Sequence, residues 1–220
     1  MSTPPLALGL DELLTTTRNV RKRLDLERPV PRALIEECLD LALQAPNGSN
    51  NQAWEWIAVD DPATRAQLAE LNREALDHFV KLLEASPQGM SAFDIGRNDR
   101  AGQIETSVMH LVERLQDVPV LVLPIFRGRV ERLNAFYQAS VWGSILPAAW
   151  SFMLALRSRG LGSALTTVHL WREREVAELL GIPYEEYTQA GLWPVAFTVG
   201  TEFRPAQRRP AREVLHWNRW

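Results

Sequence analysis

The chain has 220 residues, of which 46% are hydrophobic and 23% are charged, and its formal net charge at pH 7 is −3. This composition is typical of a folded globular protein and excludes an intrinsically disordered chain. The small net charge gives no reason to expect nucleic acid or an acidic membrane as a partner.

Two helices are predicted in the first 45 residues. Asp11 is placed to cap a short first helix. Pro31 suits the first turn of a second helix, and Pro46 ends it, because the residue before a proline avoids helical backbone angles. Apolar residues at helical spacing predict the inner face of the second helix: Leu34, Cys38, Leu41, Ala42 and Ala45. Cys38 is therefore expected to be a core residue.

The rest of the chain alternates between predicted strands and helices. The hydrophobic patterns predict strands at 54–59, 118–126, 163–169 and 192–200, and helices at 64–83, 105–115, 134–156 and 171–180. A stretch rich in glycine and proline, residues 84–104, is predicted to be a loop or mobile lid, and residues 203–220 a basic, aromatic tail. With no internal repeat or linker, residues 1–220 are interpreted as one α+β domain.

The segment 134–156 contains no charged residue and is long enough to span a bilayer. It also carries polar residues and Pro147, and a single span here would divide an otherwise globular chain. We therefore interpret it as a helix buried in the core or in a dimer interface. The alternative is a membrane-anchored protein, which solubility without detergent would exclude.

Two arginine clusters are candidate anion sites. Arg18 and Arg21 flank Asn19 and can point the same way and grip a phosphate bidentately, a geometry that lysine cannot match. The second cluster follows the last predicted strand and includes Arg208. Taken alone, each cluster is explained as simply by a solvated charged surface.

A polar loop and a glycine-bearing segment are candidates for contact with a flat, polar ligand. The loop before the first predicted strand is dense in amide groups, although the same residues form ordinary turns: Pro46, Asn47, Gly48, Asn50 and Gln52. Gly160 and Gly162 lack the third glycine of the dinucleotide fingerprint and follow a helix, which excludes a Rossmann motif. These glycines lie where the apolar helix is predicted to end, and they would allow a flat ligand to approach the backbone closely. Leu165, Thr166 and Thr167 follow them in the sequence.

The sequence predicts neither a metal site nor a nucleophilic side chain. The four histidines are dispersed, and no HExxH or G-x-S-x-G motif occurs. The single cysteine, Cys38, can form neither a thiolate metal site nor an internal disulfide. Only His169 lies beside a candidate functional segment. With no export signal in residues 1–11, we expect a reducing, cytoplasmic location.

Taken in order, these segments resemble the nitroreductase family. The matching segments are Arg18-Asn19-Val20-Arg21, Pro29-Val30-Pro31, residues 45–54, Gly160-Leu161-Gly162-Ser163, Leu180-Gly181-Ile182-Pro183, Gly200 and Arg208-Arg209-Pro210. Four positions depart from the family pattern: Asn19 and Asn47 stand where serine is usual, Ala53 where proline is usual, and Thr167 where some members have glutamate. The resemblance covers nearly the whole chain.

The resemblance implies a fold with a mostly antiparallel central sheet flanked by helices, and the apolar helix at a dimer interface. It further implies that FMN is bound in a homodimer whose flavin sites are shared between subunits. Arginines such as Arg18, Arg21 and Arg208 would hold the phosphate and ribityl chain. The loop 46–52 would come from the other subunit, and the backbone at 165–167 would face the isoalloxazine edge near N5. The complete set of implied cofactor-binding residues is Arg18, Asn19, Arg21, Pro46, Asn47, Gly48, Asn50, Gln52, Leu165, Thr166, Thr167 and Arg208.

The activity implied by the resemblance is flavin-mediated electron transfer. NADH or NADPH would pass hydride to N5, and a small acceptor such as a nitroaromatic or a quinone would then take the electrons in the same place, in ping-pong fashion. No catalytic side chain is required. Two alternatives stay open: an FMN storage protein with little NAD(P)H turnover, and a related flavin chemistry such as dehalogenation, enone reduction or oxygen-dependent breakdown of the flavin.

Overall fold

The centre of the fold is a five-stranded sheet in which every strand pair is antiparallel. The structure, a computed structural model, describes residues 5–85 and 101–220. The strands are β1 (Trp54–Val59), β2 (Val120–Arg127), β3 (Leu161–Ser163), β4 (Tyr187–Gln189) and β5 (Trp193–Phe197). Strand β2 pairs with β1 along one edge and with β4 and β5 along the other, and β3 extends the sheet beyond β5.

Six α-helices flank this sheet in the described residues. They are α1 (Leu10–Thr16), α2 (Arg32–Ala42), α3 (Pro62–Ala85), α4 (Ala101–Arg114), α5 (Ala135–Ser158) and α6 (Glu173–Leu180). Short 3₁₀ turns join several of them, at Gly48–Asn50, Leu115–Asp117, Val130–Arg132, Val168–Arg172 and Ala211–Glu213. The mixture of helices and an antiparallel sheet confirms the predicted α+β fold.

The sheet lies between two layers of helices, because β2 buries both of its faces. Val120 and Val122 pack with residues of α2 and α5, such as Phe152. Leu121 and Leu123 point the other way and pack with residues of α3, α4 and α6. The uninterrupted apolar run of β2 is the pattern of a strand covered on both faces. Side chains buried on each face of the sheet form the two main parts of the core.

Helix α5 is the one described helix long and apolar enough to cross a membrane by length and composition, and half of its most apolar window is buried inside the fold. Asn134 caps it by accepting a hydrogen bond from the backbone N–H of Tyr137. It packs against α2, β2 and β3, as expected for a core helix. Its remaining face is exposed, including Phe136, Leu146 and Trp150.

Several sequence predictions need correction. Asp11 lies inside α1, whose N-cap is Gly9 without a side-chain hydrogen bond. Leu41 is 48% exposed, because the buried arc of α2 is centred on Cys38 and Leu41 lies at its edge. The predicted strand at 163–169 is mostly wrong: β3 ends at Ser163, and a 3₁₀ turn begins at Val168.

Other predicted boundaries also shift. Helix α2 ends at Ala42, four residues before the proline predicted to stop it. The three-residue strand β4 was not predicted, since it carries no apolar run. Of the predicted lid at 84–104, the two ends are helical, in α3 and α4. Residues 86–100 of that prediction lie outside the described residues.

Candidate functional site

Five of the predicted site residues line one cavity of about 570 Å³. They come from three distant parts of the chain: Arg18, Asn19 and Arg21, then Leu165, then Arg208. Trp150 and Met153 of α5 and Ile104 of α4 supply apolar surface to the same cavity. The fold therefore brings both predicted arginine clusters to a single space.

The backbone of residues 19–20 is held beside β3. The N–H of Val20 donates to the carbonyl of Ser163 at 2.8 Å, and Asn19 forms a parallel bridge with Ser163. Gly162 permits this close approach: a Cβ there would lie 2.9 Å from Cβ of Val20 and 2.7 Å from Cγ2 of Thr198. Gly162, one of the two glycines compared above with a dinucleotide-binding motif, therefore has a packing role.

The arginines of this segment separate into two kinds. The guanidinium of Arg23 donates to the carbonyl oxygens of Val199, Gly200 and Glu202 at 2.8–2.9 Å, so it is committed to the fold. Arg21 is half-buried, and its side chain has neither a hydrogen bond nor an ion pair with the described part of the chain. Burial lowers the pKa of Arg21, and an anion beside it would offset that desolvation.

The cavity carries an excess of positive charge. Arg18 donates to the carbonyl of Arg204 at 3.3 Å, and Arg208 donates to the carbonyl of Gln207 at 2.9 Å. Neither they nor Arg21 form a salt bridge with a carboxylate of the described residues. Three guanidinium groups without acidic partners form a site suited to a phosphate.

The segment 165–167 is partly used by the fold itself. The N–H of Leu165 donates to Oδ1 of Asn19 at 3.0 Å. Both main-chain groups of Thr166 are bonded to Leu192, at 3.0 and 2.8 Å. The N–H of Thr167 and the two threonine hydroxyls are therefore the donors that the described structure leaves open at this segment.

A smaller pocket of about 200 Å³ adjoins this segment. Its lining includes Arg21, Leu165, Thr166 and Thr167, so it shares Arg21 and Leu165 with the larger cavity. It also includes Asn72 of α3, which the sequence reasoning missed. Asn72 is only 1% exposed, and its Oδ1 accepts no hydrogen bond from the described residues. No motif in the sequence signals this residue, since it lies in the middle of a long helix.

The polar loop 46–52 lies apart from both cavities. The N–H of Gly48 donates to Oγ of Ser144 in α5 at 2.9 Å. Oδ1 of Asn47 accepts from the N–H of Gln52 at 3.0 Å, and Nε2 of Gln52 donates to Asn50 at 3.3 Å. None of the loop residues, Pro46 included, lines either cavity. Within one chain, the structure does not bring this loop together with the arginines.

His169 is excluded as a solvent-accessible acid or base. It is fully buried, and burial lowers its pKa to about 4. It is a core residue of the 3₁₀ turn that precedes α6.

Comparison with known proteins places this geometry in a family. The sequence profile of the nitroreductase family matches residues 14–200. A protein described as NADH dehydrogenase from Thermus thermophilus is 48% identical over 207 residues, which cover 86% of this chain and 87% of that protein.

Two solved structures share the fold at lower identity. The FMN- and NADPH-dependent nitroreductase NfnB from sphigopyxis sp. strain HMH has a TM-score of 0.69 at 19% identity, covering 97% of this chain and all of that one. Iodotyrosine deiodinase bound to FMN and 3-iodo-L-tyrosine also has a TM-score of 0.69, at 20% identity, covering 96% of this chain and all of that one. The family profile spans most of the chain, and the chain belongs to the nitroreductase family.

Proposed function

We propose that this protein transfers electrons from NAD(P)H, through FMN, to a nitroaromatic, a quinone or a related small organic acceptor. Membership of the nitroreductase family makes the chain an NAD(P)H-dependent FMN oxidoreductase. We propose, beyond this general activity, the class of electron acceptor, a flavin site shared between two subunits, and the individual binding residues. We treat residues 1–220 as one FMN-binding domain.

The observation that carries the proposal is the cluster, in one cavity, of three arginines that have no carboxylate partner among the described residues. Arg18, Arg21 and Arg208 border a space of about 570 Å³ that also has the apolar walls Trp150 and Met153. A phosphate at one end and a flat, mostly apolar ring system at the other need this combination of surfaces. The donor set of the chain therefore fits FMN.

The chain's own residues have binding and positioning roles in this proposal. When bound, FMN supplies the hydride chemistry. The three arginines hold the phosphate dianion and offset its charge. Asn19 fixes the backbone of Leu165, so the cavity wall keeps its shape. Trp150 and Met153 limit water beside the ring, and no side chain needs to act as a nucleophile.

We further propose that the flavin site is completed by a second copy of the chain. The exposed side of α5 is an apolar stripe at helical spacing, formed by Phe136, Ala139, Gly143, Leu146 and Trp150. The loop 46–52 contacts α5 at Ser144, and the cavity contacts it at Trp150, so both border the stripe. Pairing of two stripes would bury apolar surface. It would also place the polar amides of the loop 46–52 near the cavity of the other subunit.

The experiment that tests the function is the visible spectrum of the purified protein, before and after anaerobic addition of NADPH or NADH. We expect a yellow protein whose flavin bands bleach promptly and return when a nitroaromatic or quinone is added. Parallel initial-rate lines are expected if donor and acceptor use the same place in turn. A colourless protein that FMN does not reconstitute would overturn the proposal.

Two other outcomes of this experiment would indicate a different function for the protein. A yellow protein that neither nicotinamide reduces would indicate the storage role. Prompt reduction, followed by oxidation only with a halogenated aromatic or with oxygen, would assign a different acceptor chemistry to the same flavin site. A cytoplasmic location stays a prediction, which cell fractionation tests.

A further inference from the structure

Two guanidinium groups lie over the aromatic ring of Phe203, which follows β5 in the chain. The central carbon of Arg23 is 4.1 Å from the ring centroid, and that of Arg157 is 4.9 Å from it. Both distances are within the roughly 6 Å at which a cation is attracted to the face of an aromatic ring. The ring is half-buried and packs against the core on the face of the sheet that α3 covers. These contacts fix the position of Phe203.

The ring also compensates for the burial of Arg157, near the C-terminal end of α5. Arg157 is 4% exposed, and its Nε and Nη1 have no hydrogen-bond partner among the described residues. Burial lowers its pKa, and the carboxylate of Glu12 attracts it. A buried guanidinium without hydrogen bonds is costly, and the negative face of an aromatic ring offsets part of that cost. An aliphatic side chain at position 203 would not provide this contact.

Arg23 joins the same ring to the backbone that precedes it. Its guanidinium donates to the carbonyl oxygens of Val199, Gly200 and Glu202 at 2.8–2.9 Å. The approach is close, because a Cβ at Gly200 would lie 2.9 Å from Nη2 of Arg23. The backbone that leads into Phe203 is therefore fixed relative to the first arginine segment.

The segment directly after Phe203 carries groups of the arginine cavity. The carbonyl oxygen of Arg204 accepts a hydrogen bond from Nη1 of Arg18 at 3.3 Å, and Arg208 lies four residues further on. Pro205 restricts the backbone of Arg204 to extended angles, so few rotations separate the ring from this carbonyl. A shift of Phe203 would therefore move the acceptor that holds Arg18 and the start of the segment that carries Arg208.

We propose that Phe203 is a positioning residue for the phosphate of FMN. Its ring, held by the two guanidinium groups, sets the positions of Arg18 and Arg208, and thereby the preference of the protein for a phosphorylated flavin. This inference rests on the proposed function, since it requires the phosphate at these arginines. Phe203 lines neither the larger cavity nor the smaller pocket, so its effect should be confined to the phosphate. Riboflavin, which has the ring system and the ribityl chain but no phosphate, isolates that effect.

The experiment measures the dissociation constants of FMN and riboflavin for the full-length protein, freed of flavin, by quenching of flavin fluorescence. We expect the wild-type protein to bind FMN at least about tenfold more tightly than riboflavin. Phe203→Leu should reduce this preference by about five- to tenfold through weaker binding of FMN, and should change riboflavin binding by less than about twofold. Phe203→Tyr keeps the ring and should keep the wild-type preference.

Tyr184→Leu is the matched control. Tyr184 is also half-buried, and the central carbons of Arg129 and Arg174 both lie 4.0 Å from its ring centroid. It lies between α6 and β4 and lines neither the larger cavity nor the smaller pocket. The substitution removes a ring with the same pair of cationic contacts, and it should keep the wild-type preference for FMN.

An unchanged preference in Phe203→Leu, with wild-type circular dichroism, would overturn the assignment. Equal weakening of FMN and riboflavin binding would also overturn it, because that result indicates a structural role alone. If Phe203→Leu does not fold, Arg157→Met decides: it removes one cation at similar side-chain length, and should lower the preference by about two- to fivefold. An unchanged preference there would overturn the assignment. A wild-type protein that binds neither flavin contradicts the proposed function itself, which is a different result.

Discussion

Oδ1 of Asn19 accepts a hydrogen bond from the main-chain N–H of Leu165 at 3.0 Å, across 146 positions of sequence. This bond joins the segment of the first arginines to the segment after β3, and both line the same cavity. The amide thus has a structural reason to be there, at a position where the family usually has serine.

Asn19→Ala should lower the free energy of unfolding by about 1–2 kcal/mol, because the N–H of Leu165 loses its acceptor. FMN retention should fall as well, since the wall of the cavity is no longer fixed. Urea unfolding and flavin content measure the two effects. Gln67→Ala is the control: Gln67 is an exposed amide on α3, so its substitution should change the unfolding free energy by less than about 0.5 kcal/mol. Equal effects of the two substitutions would contradict the structural role of Asn19.

Arg208→Ala should weaken FMN binding by about ten- to a hundredfold, because a charge-assisted hydrogen bond to phosphate contributes about 1.5–3 kcal/mol. The secondary structure should not change, since within the described residues the guanidinium donates its hydrogen bond to the neighbouring carbonyl of Gln207. Arg209→Ala removes the same charge from the adjacent position, where the side chain faces Glu213 at 3.6 Å. Flavin content after gel filtration distinguishes the two. Full flavin retention in Arg208→Ala would remove this residue from the site.

Leu146→Glu should convert the proposed dimer to a monomer, since it places a charge in the middle of the apolar stripe on α5. Leu146 is 39% exposed in the single chain, so the substitution should leave the fold of the monomer intact. Because the flavin site is proposed to be shared, the variant should also lose FMN. Leu41→Glu is the control at a residue of similar exposure, 48%, on α2. Sedimentation velocity measures the result, and a flavin-loaded monomer would contradict the shared site.

The buried His169 predicts a loss of stability in mild acid. Its pKa is about 4 in the folded chain and about 6.5 in the unfolded chain. Because the folded value is the lower one, the unfolded chain binds the proton first. Stability is then complete above about pH 6.5 and is lost progressively as the pH falls to about 4, by about 3 kcal/mol in all.

The measurement is the unfolding free energy of wild type and His169→Gln at half-unit intervals from pH 4 to pH 7. The difference between the two proteins should shrink as the pH falls, because the variant lacks the titrating group. His216→Gln, a substitution in the exposed C-terminal segment, should follow the wild-type curve. A constant difference between wild type and His169→Gln would show that protonation of this ring does not control stability.

Cys38 should not react with thiol reagents while the protein is folded. Its side chain is fully buried, and burial raises the pKa of the thiol to about 12. Both access and the thiolate fraction are therefore minimal at pH 8. Titration with Ellman's reagent should give no colour under native conditions and one thiol per chain in denaturant. Rapid labelling of the native protein would contradict the core position.

The sequence by itself determined the elements whose signal is local. The apolar run of β2 predicted a strand, and the uncharged stretch of α5 predicted a helix buried in the core or in a dimer interface. In each case the buried positions show up as a run or repeat of hydrophobic residues within a short stretch of the sequence. The same local reasoning failed where an element is short, as at β4, and where tertiary packing shifted the exposed edge of α2.

Only the tertiary structure decided which polar groups are available. The spacing of Arg18 and Arg21 predicts that Arg21 binds a phosphate, but it does not show which arginines of this basic stretch the fold pairs. The fold commits Arg23 to carbonyl oxygens more than 170 positions away, and it leaves Arg21 unpaired in the described chain. Asn72 has no local signal at all, because the pocket that it lines is enclosed jointly by α3, α4 and the segment after β3. Hydrogen-bond partners are fixed by long-range packing, and local periodicity does not carry that information.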